Sequence, residues 1–279
     1  MKNLLLAVLF VCACCANAAD IDIWKGVKMP RPQNSKIARN VGVKKDERYK
    51  SIGKPFMRYF EAQNASGEPA AAVLIFGGGG YNQLALERDA IPAAKLLSEN
   101  GIASFVLAYR LPDNRDGALM DAQRAIRLMR KNAKKLNIDP EKIGVMGFSA
   151  GGHLAARLAN EGEDFYEKTD AADEISKNVA VTILIYPAYL ADKKSLELSP
   201  EIKVSKDSPR AFIMQTQDDA AYEASSVGYM LALRAAGAPV DFHYFKKGGH
   251  GYALRIQDIP AAAWSDLLLT WLKFNGISR

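Results

Sequence analysis

A serine framed by glycines is the first residue of this sequence that could do chemistry. Residues 147–151 read Gly-Phe-Ser-Ala-Gly, the G-x-S-x-G pattern that exposes a serine hydroxyl on a sharp turn from a strand into a helix. An apolar run at 143–146 enters the pattern, and a helical segment leaves it as far as about residue 160. This context predicts that Ser149 is a nucleophile.

A serine nucleophile needs a general base, and the chain has three histidines. His250 lies in the segment Lys-Gly-Gly-His-Gly-Tyr, after the last predicted strand, where a loop could carry an imidazole to the serine. His153 follows Ser149 by four residues on the same predicted helix, which indicates a packed or hydrogen-bonded role beneath the turn. His243 falls within a predicted strand and is interpreted as structural. His250 is therefore the predicted base.

An acid that orients the histidine should lie between serine and histidine in the chain order Ser…Asp…His. Asp218 and Asp219 follow a predicted strand at 211–215. One carboxylate would hold the imidazole tautomer, and the other would cap the loop or the next helix. Asp218 emerges first from the strand and is the predicted acid, with Asp219 as the alternative.

Acyl transfer also needs backbone amides that stabilise the developing oxyanion. Four glycines, residues 77–80, follow a predicted strand at 71–76, and glycine lets the backbone approach a reacting group closely. The amide of Ala150, directly after the serine, is a further predicted donor. A phosphate-binding loop is disfavoured, because no Gly-Lys-Ser/Thr follows and residue 82 is Asn.

Short apolar runs alternate with helical patterns along the chain, which predicts a mostly parallel sheet covered by helices on both faces. An active site is then expected at the carboxyl ends of the strands. About twenty residues separate the end of one strand near 187 from the start of the next near 208, too few for a large helical lid. The predicted strands are 71–76, 102–108, 143–146, 179–186, 211–215 and 240–245, and the predicted helices are 90–100, 119–136, 152–160, 224–236 and 261–274.

The first eighteen residues have the order of a secretory signal peptide, with Lys2, a twelve-residue apolar run and Ala-Asn-Ala at 16–18. The sequence therefore predicts cleavage near Ala18, a single catalytic domain over 19–279, and a secreted or periplasmic protein. Lipid anchoring at Cys14 is the alternative. All three cysteines lie in the signal, so the mature chain offers neither a disulfide nor a thiolate site, and no metal or organic cofactor is expected.

The charge pattern bears on possible partners. The formal net charge is +6, but the lysines and arginines are not clustered, so a nucleic-acid partner is not expected. No second hydrophobic run is long enough to span a membrane, so no integral membrane segment is expected after signal removal.

Five segments together resemble the bacterial acetylxylan-esterase-like and feruloyl-esterase-like α/β-hydrolases. They are FGGGGY, YRLP at 109–112, IDPEKIGVMGFSAGGHLA at 138–155, QTQDD and KKGGHGY, and the resemblance extends from about residue 71 to the end. It implies the α/β-hydrolase fold with a minimal lid. It also implies that Ser149 is the nucleophile and His250 the base, with the acid in the Asp218-Asp219 pair. The oxyanion donors would be the amides of Gly79, Gly80 and Ala150.

The activity expected from this resemblance is a secreted serine carboxylester hydrolase that removes small acyl groups, chiefly acetyl, from plant polysaccharide such as xylan. A feruloyl esterase would share the mechanism and differ in its acyl pocket. A small serine peptidase of the prolyl-oligopeptidase type is a further alternative, although such enzymes usually carry an additional domain. A non-catalytic sugar-binding protein should have lost a candidate of the triad, and none is lost.

Overall fold

The protein is described by a computed structural model that covers residues 20–34, 40–43, 48–63, 67–255 and 258–278. The predicted signal peptide and the alternative lipid anchor at Cys14 lie outside the described residues.

The described residues form ten strands and six α-helices. The strands are β1 (Asp20–Asp22), β2 (Val41–Val43), β3 (Arg48–Ser51), β4 (Phe56–Phe60), β5 (Ala70–Phe76), β6 (Ala103–Ala108), β7 (Ile138–Phe148), β8 (Val181–Ile185), β9 (Arg210–Thr216) and β10 (Val240–Phe245). The helices are α1 (Ile91–Glu99), α2 (Arg115–Lys131), α3 (Ala133–Leu136), α4 (Ala150–Asn160), α5 (Glu223–Ala236) and α6 (Trp264–Phe274).

One eight-stranded sheet, in the order β1-β4-β6-β5-β7-β8-β9-β10, organises the described chain. The six strands from β6 to β10 in this order run parallel, and β4 and β1 complete one edge antiparallel. Since crossovers between parallel strands are right-handed, the connection from β5 to β6 puts α1 on one face, and the connections that run in the other direction, from β6 to β7 and from β7 to β8, put α2 and α4 on the other. The predicted mostly parallel sheet with helices on both faces is confirmed.

The strand order reverses at β5, and this reversal creates the crevice in which such sheets bind ligands. The chain leaves β5 toward β6 on one side, and β7 then pairs with β5 on the other. Phe76, the last residue of β5, is aligned with Gly147 near the end of β7. The glycine loop and the serine pentapeptide therefore emerge side by side.

The inner strands are apolar because both of their faces are covered. Every residue of β5, β6 and β8 is buried. Burying one Val, Leu or Ile side chain stabilises the fold by roughly 1.5–3 kcal/mol, so these runs anchor the strands whose ends carry the candidate site.

Three parts of the chain differ most from the sequence prediction. Strand β7 begins at Ile138, five residues before its predicted start. Helix α2 begins four residues earlier than predicted, because the side-chain oxygen of Asn114 accepts the amide of Gly117 at 2.9 Å and caps the helix. The stretch before residue 70, in which no strand was predicted, contains β1 and β4 of the main sheet. Pairing with the edge of β6 supplies the hydrogen bonds of β4, and this long-range partner leaves little local signal in the sequence.

Residues 187–209, which connect β8 to β9, contain no helix. The predicted minimal lid is therefore confirmed. Among the described residues, no helix has both the length and the apolar character needed to cross a membrane.

Candidate active site

Ser149 occupies a strained turn between β7 and α4. Its φ of 53° and ψ of −119° lie in a region that side-chain-bearing residues seldom adopt, and its amide is held by the carbonyl of Ile185 at 3.1 Å. A Cβ on Gly147 would collide with the carbonyl of Gly151, and a Cβ on Gly151 would collide with the carbonyl of Phe76. The pentapeptide therefore needs glycine at both ends so that the serine can stand out from the sheet.

The structure brings Ser149 and His250 together across a hundred residues of chain. The hydroxyl Oγ of Ser149 lies 2.8 Å from Nε2 of His250, which is the contact that a general base requires. The other ring nitrogen, Nδ1, lies 2.7 Å from Oδ2 of Asp219. A serine, a histidine and a carboxylate thus lie in line, each within hydrogen-bond distance of the next.

The carboxylate on the histidine belongs to Asp219, so the choice of Asp218 from the sequence is wrong on geometry. Asp219 is 2% exposed and faces the imidazole, whereas Asp218 faces outward. Asp218 instead accepts the amides of Gly248 at 3.2 Å and Gly249 at 2.8 Å. These bonds, above all that from Gly249, lower the pKa of Asp218. Asp218 therefore braces the loop that carries His250.

The turn that follows β9 explains why Asp219, and not Asp218, meets the imidazole. The amide of Asp219 bonds to the carbonyl of Thr216 at 3.3 Å, so the chain reverses before Asp219 and directs its side chain inward. The other carboxylate oxygen of Asp219 accepts the amide of Tyr222 at 3.2 Å. This turn, rather than the order of emergence from the strand, selects the residue that meets the imidazole.

Aromatic rings flank the imidazole of His250. The ring of Tyr186 meets it edge-on with centroids 5.0 Å apart, and the ring of Tyr222 lies at 4.7 Å. Tyr252 packs against Tyr186 at 4.6 Å. These contacts restrict how His250 can swing and shield its bond to Asp219 from water.

The glycine loop lies against the serine. A Cβ on Gly78 would lie 3.2 Å from the Cβ of Ser149, so this part of the loop passes directly beside the nucleophile. Gly79 and Gly80 adopt φ values of 130° and 67°, which favour glycine. Ala150 is the first residue of α4, where the helix leaves its amide without an intrahelical acceptor. Gly79 and Gly80 directly follow Gly78 in this loop and Ala150 directly follows Ser149, and the role of their amides as oxyanion donors stays a prediction.

A buried carboxylate that the sequence analysis missed holds the glycine loop from behind. Asp89 lies on a single π-helical turn, Leu86–Ala90, and its Oδ2 accepts the amide of Gly78 at 3.2 Å. Burial raises the pKa of Asp89, against the lowering effect of the Gly78 amide. The sequence does carry a signal, because Asp89 falls on the same helical face as Leu86, Ala90 and Ala93, which are all buried.

His153 lies beneath the serine turn, where the sequence analysis placed it. Its Nδ1 lies 2.8 Å from the hydroxyl of Tyr81, and its Nε2 lies 3.2 Å from Oε1 of Glu201. Burial lowers the pKa of His153 to about 4, although Glu201 acts in the opposite direction. A neutral ring therefore donates to Glu201 and accepts from Tyr81, and this chain of bonds ties the residue after Gly80 to α4.

The third histidine is structural, in agreement with the sequence interpretation. His243 lies on β10, and its ring packs on Phe212 with centroids 4.6 Å apart. Within the part of the chain that is described, no group of three or more His, Cys, Asp or Glu residues could hold a metal ion.

Comparison with known proteins identifies relatives with this architecture. The family model BD-FAE matches residues 59–188. The "Acetylxylan esterase" of Xylanibacter ruminicola is 32% identical over 214 residues, which are 72% of this chain and 44% of that protein. The chain thus spans less than half the length of this curated relative.

Two solved structures are similar over most of the chain. The "acetyl ester-xyloside bifunctional hydrolase from Caldicellulosiruptor lactoaceticus" has a TM-score of 0.78 at 27% identity, over 94% of this chain and 98% of that one. MGS-M1, "an alpha/beta hydrolase enzyme from a Medee basin deep-sea metagenome library", has a TM-score of 0.66 at 32% identity, over 79% of this chain and 92% of that one.

Proposed function

The chain belongs to the α/β-hydrolase family, and on that premise we propose that it is a serine carboxylester hydrolase that removes small acyl groups, chiefly acetyl, from plant polysaccharide such as xylan. One observation carries the proposal. The hydroxyl of Ser149, the imidazole of His250 and the carboxylate of Asp219 are joined by contacts of 2.8 and 2.7 Å. The strained turn exposes this hydroxyl at the carboxyl end of the sheet.

The reaction begins with proton transfer from Ser149 to Nε2 of His250 as Oγ attacks the ester carbonyl. Asp219 keeps the proton on Nδ1 and stabilises the imidazolium that forms. The carbonyl oxygen becomes an oxyanion, which the amides of Ala150, Gly79 and Gly80 are suited to meet.

The tetrahedral intermediate then collapses. His250 returns its proton to the leaving sugar hydroxyl, and an acyl-enzyme on Ser149 remains. Water, deprotonated by the same histidine, attacks the acyl carbon and forms a second tetrahedral intermediate. Its collapse returns a proton to Oγ and releases the carboxylic acid, so the enzyme is restored.

The substrate class rests on the relatives and on the open site. Two of the similar proteins carry names that refer to acetyl esters and xylan or xyloside. The connection over 187–209 contains no helix that could roof the site, which favours a bulky polar substrate over a buried lipid chain.

A feruloyl esterase is the second candidate, favoured by the ring of Tyr222, which is only partly buried beside His250. An aromatic acyl group near the base would meet this ring. The mechanism would be unchanged.

We also propose that the protein is secreted or periplasmic. The support is the order of residues 1–18, namely Lys2, the apolar run and Ala-Asn-Ala at its end. The single catalytic domain over 19–279 belongs to the same proposal. N-terminal sequencing of protein recovered from the expressing cells would give Ala19 as the first residue if cleavage occurs after Ala18.

A substrate panel tests the function. We expect hydrolysis of p-nitrophenyl acetate with kcat/KM falling steeply toward butyrate and octanoate, because an acyl pocket of acetyl size would reject added methylenes. Acetate should also be released from acetylated xylan. Much faster cleavage of methyl ferulate would establish the second candidate, and a preference for octanoate would contradict both. The Ser149→Ala protein is the control for hydrolysis that does not depend on the site.

A further inference from the structure

A polar cavity of about 580 Å³ lies on the Gly80 side of the candidate active site. Its lining combines two arginines, two aspartates, two asparagines and two tyrosines with Gly80. Four of these lining residues are Asn82, Asp113, Arg115 and Tyr189, and none of them belongs to the line formed by Ser149, His250 and Asp219.

The cavity is continuous with the wall of the catalytic site. Gly80 lines it and belongs to the glycine loop beside Ser149. The hydroxyl of Tyr189 would lie 3.5 Å from a Cβ on Gly80. The ring of Tyr189 meets that of Tyr222 at 5.4 Å, and Tyr222 in turn packs on His250 at 4.7 Å. A molecule in the cavity would therefore lie next to an ester held at the serine.

The lining is preformed on one side. The guanidinium of Arg115 lies 5.2 Å from the ring centroid of Tyr81 and 4.9 Å from that of Tyr189. Its ion pair with Glu201, at 3.3 Å, fixes it further. Since an arginine between two rings and a carboxylate has little freedom left, its remaining donors can meet a ligand at low entropic cost.

Two other side chains in the cavity have polar groups that a ligand could bind. The side chains of Asn82 and Asp113 are exposed and have no hydrogen-bond partner among the described residues. The cavity carries two arginines against two aspartates, so its formal charge is balanced and a strongly charged ligand is not favoured. Planar amide, carboxylate and guanidinium groups beside an aromatic ring suit a neutral ring that bears several hydroxyls.

We propose that this cavity binds the neutral sugar units next to the one that carries the ester, on the leaving-group side. The proposal rests on the proposed function, because it presumes that the ester at Ser149 is attached to a glycan. The cavity then sets specificity for an oligosaccharide over a simple ester: Asn82 and Arg115 donate hydrogen bonds to the sugar, the carboxylate of Asp113 accepts from its hydroxyls, and Tyr189 contacts it.

The test removes the two unpartnered side chains in the variant Asn82→Ala with Asp113→Gly. Glycine is chosen at 113 because the residue has a φ of 50°, which alanine would strain. Asp207→Ala is the matched control, since Asp207 is exposed at the opposite end of the sheet, before β9 begins. Thermal unfolding of all proteins establishes that they are folded.

Two measurements decide the proposal. In the double variant, the ratio of kcat/KM for acetylated xylo-oligosaccharide to kcat/KM for p-nitrophenyl acetate should fall about tenfold or more, as two lost hydrogen bonds imply. Calorimetry with unacetylated xylotetraose should show binding to the wild type and to Asp207→Ala, weakened to a similar degree in the double variant.

Equal xylotetraose affinity in wild type and double variant, or no binding to the wild type, would overturn the cavity proposal. That result leaves the proposed function standing if the wild type still cleaves p-nitrophenyl acetate. Conversely, a wild type that binds xylotetraose through these residues but cleaves no ester would refute the proposed function and leave the sugar site in place.

Discussion

Ser149 and His250 are joined by a single contact of 2.8 Å, so the loss of either group should stop the acyl-enzyme step. In the Ser149→Ala protein, we expect esterase activity to fall by about 10³-fold or more, with only binding and oxyanion stabilisation remaining. The measurement is initial-rate hydrolysis of p-nitrophenyl acetate by protein that unfolds like the wild type. In parallel, a fluorophosphonate should label the wild type at Ser149 alone, and a folded variant with wild-type activity would remove this serine from the mechanism.

The two neighbouring aspartates, Asp218 and Asp219, provide a matched pair of substitutions. Asp219→Asn should reduce kcat by about 10⁴-fold, because the amide can hold His250 in the wrong tautomer. Asp218→Asn keeps one acceptor oxygen, which can retain the shorter bond from the amide of Gly249 while the longer bond from Gly248 is lost, so we expect a loss below about tenfold, caused by slight loosening of the loop. Steady-state kinetics of both variants with one ester measures the contrast. A reversed order would show that the imidazole turns to Asp218 during turnover.

At the scale of elements, the glycine loop depends on the π-helical turn behind it. Asp89 accepts the amide of Gly78 from a buried position, and Gly78 passes beside Ser149. Asp89→Leu removes this acceptor while filling the space, and we expect kcat to fall about 10- to 100-fold with KM little changed, because displaced oxyanion donors weaken transition-state binding. Kinetics with p-nitrophenyl acetate separates the two parameters.

Asp89→Asn is the matched control for this positioning role. Its carbonyl oxygen can still accept the Gly78 amide, so most of kcat should return. Urea unfolding of Asp89→Leu should show a stability lower by roughly 1–3 kcal/mol, since the buried amide of Gly78 loses its acceptor, and the kinetics are compared on protein that is still folded. A leucine variant with unchanged kcat would show that the loop keeps its shape without Asp89.

For the molecule as a whole, buried His153 makes stability depend on pH. Its pKa is lowered to about 4 by burial, from 6.5 in the unfolded chain. Between these values the unfolded chain binds the proton more strongly, so the free energy of unfolding should fall as the pH falls from about 6.5 toward 4 and should be insensitive to His153 above that range. By about pH 5 the loss amounts to roughly 2 kcal/mol.

Urea unfolding at about pH 7.5 and about pH 5 measures this effect. The control is His153→Gln, which cannot titrate and should lose roughly 2 kcal/mol less than the wild type over the same interval. The pKa of Glu201, the partner of His153, is also lowered. What this carboxylate contributes to the free energy of unfolding is therefore lost only at still lower pH, and part of that contribution is present in both proteins. An equal loss in both proteins would place the pH dependence in other groups.

Local sequence patterns were enough to predict much of the fold and of the candidate site. The apolar runs of β5, β6 and β8 are buried on both faces, so near-continuous hydrophobicity identified them as inner strands. The pentapeptide around Ser149 could be recognised because the turn needs glycines at fixed positions. His250 could be assigned as the base because the chain has only three histidines to choose from. These features depend on neighbours in the chain, and a sequence displays its neighbours directly.

Contacts between distant segments could not be predicted from local sequence patterns. Asp218 and Asp219 are chemically identical, and only the turn that bonds the amide of Asp219 to Thr216 directs one of them to a histidine thirty-one residues away. The pairing of β4 with β6 and the bond of Asp89 to Gly78 likewise join separated segments. Such partners are chosen by packing of the whole sheet, and for this reason the acid, the brace behind the glycine loop and the cavity beside it emerged from the tertiary structure.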